Sequence, residues 1–108
     1  MIALKPDVDL RGVQPEMVIG LMVIAPIINR HGAECVVTAC KDGKHKPGSK
    51  HYTGHAMDIR SKTLLPKDLP NIVQELKLSL GPQFDVVLEG AATPGATAQH
   101  LHIEYQPK

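Results

Sequence analysis

Two short segments that alternate between polar and apolar residues constrain the fold of this chain more than any other feature. In residues 55–60, one set of alternate positions holds Ala56, Asp58 and Arg60. In residues 100–105, one set holds His100, His102 and Glu104. Because strand side chains point alternately to opposite faces of a sheet, both segments predict strands that direct acidic or histidine side chains to one face. The apolar positions of each strand are then available for a core.

A long helix is predicted before these strands, between residue 15 and Gly32. Its apolar residues at helical spacing are Met17, Leu21, Ile24 and Ile28. Pro15 stands in the first turn, where proline is tolerated. Pro26 removes a backbone hydrogen bond inside the helix, so we expect a bend there, with two shorter helices as the alternative.

The other predicted elements, in chain order, are a strand at residues 35–39, a loop at 41–50, a helix from Asp68 or Pro70 to residue 80, a strand at 84–89 and a loop at 90–98. These elements predict an α+β fold, with two helices on one face of a small, mainly antiparallel sheet and the site on the other face. With 108 residues, we expect a single domain across residues 1–108.

Composition argues against several classes of partner. Lys and Arg number 12 against 11 Asp and Glu, so there is no basic field for nucleic acid or an anionic membrane. The chain has only two Tyr and one Phe, and this scarcity of aromatic side chains argues against a surface on which bases stack. The apolar run at residues 17–28 is too short to span a bilayer, and the N-terminus carries no export signal, so we expect synthesis in the cytoplasm. Cys35 and Cys40 are predicted to be free thiols, because five residues of extended chain hold them too far apart for a disulfide.

Histidine and aspartate residues in two separate segments suggest a split metal site. His51 and Asp58 offer a nitrogen and an oxygen ligand, and either His100 or His102 would complete three protein ligands. A catalytic zinc uses three such ligands and keeps a fourth position for water. The alternative for an isolated H-x-H on a strand face is a pair of solvated polar side chains. The combination of the two segments favours the metal site.

The first of these segments also resembles a known family. Its motif, S-x-H-x-x-G-x-A-x-D, consists of Ser49, His51, Gly54, Ala56 and Asp58. With the H-x-H of residues 100–102, it resembles the zinc peptidases of the D-Ala-D-Ala carboxypeptidase and phage endolysin superfamily, related in site architecture to lysostaphin-type enzymes and the hedgehog signalling domain. The resemblance spans most of the chain. It implies a hedgehog/D-Ala-D-Ala peptidase-like fold and hydrolysis of peptidoglycan stem peptides, by a carboxypeptidase or an endolysin-type endopeptidase.

The resemblance also implies roles for single residues. His51, Asp58 and His102 would bind Zn²⁺, which lowers the pKa of a bound water and polarises the scissile carbonyl. His100 would assist from beside the metal or stabilise the developing oxyanion. We expect Ser49 to hold the loop that presents His51, through its hydroxyl.

Two departures from the family pattern affect these roles. Many relatives carry Glu or Asp three residues before the last zinc histidine, where this chain has Gln99, which cannot act as a base. His100 and Glu89 remain as candidates for the general base, and we rank His100 ahead, since Glu89 is also readable as a solvated acid at a strand end. The arginine of a T-S-G-x-R segment is also missing. The candidates to replace it as a substrate-binding charge are Lys41, Lys44 and His45, although loop charges are more often only solvated.

Two other functions are compatible with the sequence. The departures favour a non-catalytic module that keeps zinc for folding or for gripping a cell-wall or protein ligand. A metal-free phage assembly or tail component, with histidines as remnants, is the third reading. The compact size and the lack of a cell-wall-binding repeat resemble a phage-encoded or virion-associated member that acts on the bacterial cell wall.

Overall fold

A computed structural model of the chain describes residues 1–40, 48–90 and 99–107. These residues form five strands, two α-helices and two short 3-10 helices. In chain order the elements are β1 (Ile2–Leu4), α1 (Pro15–Arg30), β2 (Cys35–Ala39), a 3-10 helix (Lys50–Thr53), β3 (Ala56–Arg60), a second 3-10 helix (Pro66–Asp68), α2 (Leu69–Leu80), β4 (Phe84–Glu89) and β5 (His100–Tyr105). The predicted α+β class is confirmed.

The strands form one sheet in the order β1-β2-β3-β5-β4. β1 pairs parallel with β2, and every other neighbouring pair is antiparallel, so the sheet is mainly antiparallel as predicted. The sequence does not predict β1, because three residues are too few to show an alternating pattern. Backbone pairing with β2, which sets Ile2 opposite Cys35, recruits this segment into the sheet.

Both helices pack against one face of the sheet, where they form a single core with it. The fully buried core residues from the strands include Val37, Met57, Ile59, Leu101 and Ile103. Fully buried residues from the helices are Met17, Ile24 and Ile28 in α1, and Ile72 and Leu76 in α2. Burying a side chain of this size stabilises the fold by about 1.5–3 kcal/mol. The polar positions of β3 and β5 therefore lie on the opposite face, away from the helices.

Helix α1 runs without interruption from Pro15 to Arg30, with Pro26 inside it, so the alternative of two shorter helices is wrong. An interior proline costs roughly 3 kcal/mol relative to alanine. Pro26 itself is exposed, whereas its neighbours Ala25 and Ile27 are buried in the core. Packing of these neighbours keeps the residues on both sides of the proline in one helix.

Candidate metal centre

Strand pairing brings four of the predicted site residues onto one patch of the sheet. Asp58 of β3 lies directly opposite His102 of β5. One step along, His100 of β5 lies opposite Glu89 of β4. Residues directly opposite in an antiparallel pair have Cβ atoms about 4.5–5.5 Å apart, so their side chains meet. The register thus collects two histidines and two carboxylates from three strands on the face away from the helices.

His51 reaches this patch from the 3-10 helix that precedes β3. The hydroxyl oxygen of Ser49 accepts a hydrogen bond from the backbone N–H of His51 at 3.1 Å and caps this turn. The turn ends at Gly54, whose φ of +80° is the left-handed region that favours glycine. A Cβ atom at Gly54 would lie 2.1 Å from the carbonyl oxygen of Gly12. Glycine is therefore required here both by its backbone angle and by a close backbone approach.

The side chains of His51, Asp58 and His102 converge at one point. One nitrogen from each histidine and one carboxylate oxygen all lie within 4.8 Å of one another. Oδ1 of Asp58 lies 3.3 Å from Nε2 of His51 and 3.0 Å from Nδ1 of His102. The three residues are only 3%, 9% and 9% exposed, respectively. Two imidazole nitrogens and one carboxylate oxygen so placed could hold a metal ion.

A break in the pairing of β2 positions the partner of the His51 ring. The register between β2 and β3 shifts between Val37 and Ala39, which marks a β-bulge. Such bulges redirect the strand and are common beside functional sites. Just after it, the carbonyl oxygen of Cys40 lies 2.7 Å from Nδ1 of His51. A carbonyl only accepts, so Nδ1 carries the proton and donates it, which leaves Nε2 as the nitrogen available to a metal.

Glu104 orients the ring of His102, as the carbonyl of Cys40 orients the ring of His51. Its Oε1 lies 2.8 Å from Nε2 of His102, so Nε2–H donates to the carboxylate and Nδ1 faces Asp58. With its amide nitrogen turned toward the carboxylates, Gln106 donates to Oε2 of Glu104 and Oδ2 of Asp85, each at 2.9 Å. A carboxylate that orients a metal-binding histidine in this way is common in zinc sites. No role is predicted for Glu104 from the sequence, although the alternation of residues 100–105 places it on the same strand face as His102.

The three histidines around Asp58 keep this carboxylate ionised. Burial by itself raises its pKa, but hydrogen bonds from His102 and His51 and the charges of His51 and His100 outweigh burial. The net result is a pKa well below the ordinary value for aspartate. Asp58 is therefore an anionic oxygen ligand at neutral pH.

His102 shows the opposite balance. Burial lowers its pKa, but the hydrogen bonds to Asp58 and Glu104 and the negative charges of Glu89 and Asp58 raise it to about 9. Without a metal, the ring thus holds a second proton at neutral pH. A metal ion that binds Nδ1 must displace this proton.

Glu89 and His100 border the cluster on the side of β4. Nε2 of His100 lies 3.3 Å from Oε1 of Glu89 and 3.6 Å from Oδ2 of Asp58. Oε1 of Glu89 also lies 3.7 Å from Nδ1 of His102. Glu89, His102 and Glu104 line one cavity of about 730 Å³ that extends along β4. Of the three cluster residues, only His102 lines this cavity.

The remaining predicted residues lie apart from the centre or outside the described residues. Gln99 accepts a hydrogen bond from the hydroxyl of Ser61 at 3.3 Å through its side-chain oxygen. His55 contacts Thr53 through its ring and stacks on Tyr105, and is not among the three cluster residues. The predicted substrate-binding charges Lys41, Lys44 and His45 lie outside the described residues.

Comparisons of the chain with protein-family models, with curated proteins and with solved structures found no match. Within residues 1–40, 48–90 and 99–107, no helix has the length and apolar character needed to cross a membrane. A possible metal centre formed by His51, Asp58 and His102 is therefore the feature from which a function can be argued.

Proposed function

We propose that this protein is a zinc-dependent peptidase that hydrolyses peptidoglycan stem peptides. The observation that carries the proposal is the convergence of His51, Asp58 and His102 within 4.8 Å, on a sheet face that the helices leave open. Three protein ligands leave one coordination position of zinc for water. When bound, zinc would supply a water of lowered pKa and would polarise the scissile carbonyl. The choice of substrate rests on the resemblance of residues 49–58 and 100–102 to peptidoglycan peptidases.

Glu89 is the better candidate for the general base. Nε2 of His100 faces two carboxylates, those of Glu89 and Asp58. A nitrogen so placed carries a proton and donates it, and it cannot accept another. The Glu89 carboxylate is half-exposed and lies beside the metal-facing nitrogen of His102, so it can accept a proton from water. We therefore assign the base to Glu89 and give His100 the role of orienting Glu89 and stabilising the developing oxyanion, which reverses the ranking made from the sequence.

A second candidate function is a zinc-stabilised binding module without catalysis. The position three residues before His102, acidic in many peptidases of the resembling superfamily, is Gln99, and its side-chain oxygen is held by Ser61. An amide there cannot take a proton from water. This observation favours binding over catalysis unless Glu89 supplies the missing base.

Zinc content tests what both candidates share. Protein without a histidine tag would be reconstituted with zinc and measured by elemental mass spectrometry, as the wild type, His51→Ala and the matched control His55→Ala. We expect one zinc per chain in the wild type and in His55→Ala. We expect loss of zinc in His51→Ala, because His51 belongs to the cluster and His55 does not. A wild type that binds no zinc would contradict both functions.

Cleavage separates the two candidates. Zinc-loaded wild type, Glu89→Gln and His100→Ala would be incubated with defined stem peptides, and the products followed by mass spectrometry. Removal of a general base typically lowers the rate about 10²–10⁴-fold, so Glu89→Gln should retain zinc and lose nearly all cleavage. Full activity in Glu89→Gln would refute the assignment of the base. Stoichiometric zinc with no cleavage of any stem peptide would refute the peptidase and support the binding module.

A further inference from the structure

The outward face of α1 carries a continuous apolar stripe. Its members, all exposed, are Pro15, Val18, Ile19, Met22 and Pro26. Val18 is 46% exposed, Ile19 62% and Met22 67%. The only charged residues of the helix are Glu16 and Arg30, one near each end. A helix that packs on a core with one face normally carries polar residues on the other, so a stripe of this kind calls for a partner.

We propose that this stripe is the contact surface between two copies of the chain, which pack their α1 helices antiparallel about a two-fold axis near Met22. This inference is independent of the proposed peptidase function. The helices lie on the sheet face opposite the candidate metal centre, so the association leaves that centre open. Closed two-fold dimers are the commonest assembly of identical soluble chains.

The two charges of α1 select the antiparallel arrangement. Glu16 and Arg30 are separated by nearly four helical turns, so they lie on the same flank of the stripe. A two-fold axis perpendicular to both helices places the same flank of each copy side by side and reverses their direction. Glu16 of each copy then lies beside Arg30 of the other, whereas a parallel pair brings no such charges together. Arg30 already contacts Glu75, but its guanidinium has donors for a second carboxylate.

The stripe favours a second copy over a membrane surface, and it predicts a weak association. Helices that lie on membranes are rich in Lys and Arg along their polar face, and α1 has no basic residue before Arg30. Its 16 residues span about 24 Å, so the stripe alone offers less than the roughly 800 Å² per partner of a standard stable interface. We expect a dimer with a Kd in the micromolar range.

Sedimentation velocity tests whether the chain self-associates through this stripe, with the protein concentration varied over roughly two decades in the micromolar range. We expect the wild type to shift from monomer to dimer as the concentration rises. Met22→Lys should raise Kd roughly tenfold or more, because it buries a charge without a partner. The matched control is Leu78→Lys on α2, since Leu78 is 75% exposed and lies outside the stripe. A wild type that stays monomeric throughout, or a dimer that Met22→Lys leaves unchanged, would overturn the proposal.

Exchange of the two charges tests the orientation. Glu16→Lys and Arg30→Glu should each weaken self-association, because each places like charges side by side in its own dimer. An equimolar mixture of the two variants should restore association, because both cross-dimer pairs then become attractive again. Failure of the mixture to associate better than either variant would overturn the antiparallel arrangement. Binding to anionic vesicles without self-association would assign the stripe to a membrane and overturn the dimer.

Discussion

Nδ1 of His102 lies 3.0 Å from Oδ1 of Asp58, although the two residues are 44 positions apart in the chain. The pairing of β3 with β5 sets this contact, because it places the two residues directly opposite each other. The other nitrogen of the same ring is held by Glu104 at 2.8 Å. Carboxylates on both sides thus determine which nitrogen faces the cluster and how readily the ring gives up its proton.

Replacing Glu104 should weaken zinc binding although Glu104 is not among the three proposed ligands. In Glu104→Gln the carboxylate charge that orients His102 is lost, and changes of this kind typically cost about 10–100-fold in metal affinity. Competition with a zinc chelator would measure the loss. Glu34→Gln, at an exposed position before β2, is the control and should bind zinc like the wild type. Equal affinity in both variants would show that Glu104 does not orient the ligand.

Zinc affinity should rise with pH up to about 9. The pKa of His102 is raised from 6.5 to about 9 in the absence of metal, so a proton competes with zinc below this value. Proton displacement from one group costs about tenfold in apparent affinity per pH unit. In the zinc-free protein, the protonated ring of His102 also stabilises the fold through its carboxylate partners. This contribution is fully present below pH 6.5 and is lost as the pH rises through about 9.

The increase in melting temperature on adding zinc, at a free concentration set by a chelator, should therefore grow from pH 6.5 to pH 9. Glu104→Gln serves as the comparison, because loss of its hydrogen bond and charge should lower the pKa of His102 and move this window to lower pH. A zinc-induced shift that does not change with pH in the wild type would contradict the protonated ring.

Two glycines with similar backbone angles should respond differently to alanine. Gly54 and Gly32 have φ values of +80° and +83°, so either substitution carries a backbone penalty of about 1–2 kcal/mol. At Gly54 the new Cβ would also lie 2.1 Å from a carbonyl oxygen, whereas at Gly32 it would meet nothing within 4 Å. Urea denaturation should show that Gly54→Ala lowers the free energy of unfolding by about 2 kcal/mol or more beyond Gly32→Ala. Equal losses of unfolding free energy in the two variants would mean that the backbone near Gly12 moves away from the new Cβ atom at little energetic cost.

Neither cysteine should react with a thiol reagent in the folded protein. Cys35 and Cys40 form no disulfide, as the sequence predicts, and both are fully buried. Burial raises the pKa of Cys35 to about 11, although the positive N-terminus opposes this shift, so the reactive thiolate is scarce at neutral pH. Ellman's reagent should detect thiols only after denaturation. Leu78→Cys, at a position that is 75% exposed and outside the apolar stripe of α1, is the positive control, and rapid reaction of the native wild type would contradict the buried core.

Local patterns were enough to predict most elements of the fold. Alternation in residues 100–105 predicts a strand with His100 and His102 on one face, and β5 has these bounds, with Leu101 and Ile103 buried on the other. The helical spacing after Pro15 likewise predicts α1. These patterns are visible in sequence because each depends only on the period of one element and on burial of one of its faces. Pro26 shows the limit, since the packing of its neighbours keeps α1 in one piece.

Which residues meet at the candidate site depends on the strand order and the register as well. Residue type and alternation identify His51, Asp58 and the His100–His102 pair as potential ligands. The resemblance implies His102 as the third ligand and names Glu89 as a candidate base, but the convergence of His102 with His51 and Asp58, the contact of Glu104 with its ring and the contact of Glu89 with His100 depend on the tertiary structure. These contacts depend on which residues of β3, β4 and β5 lie opposite one another, and a slip of one residue would turn every side chain to the other face. Such pairing is set by packing between distant segments, so no local pattern records it.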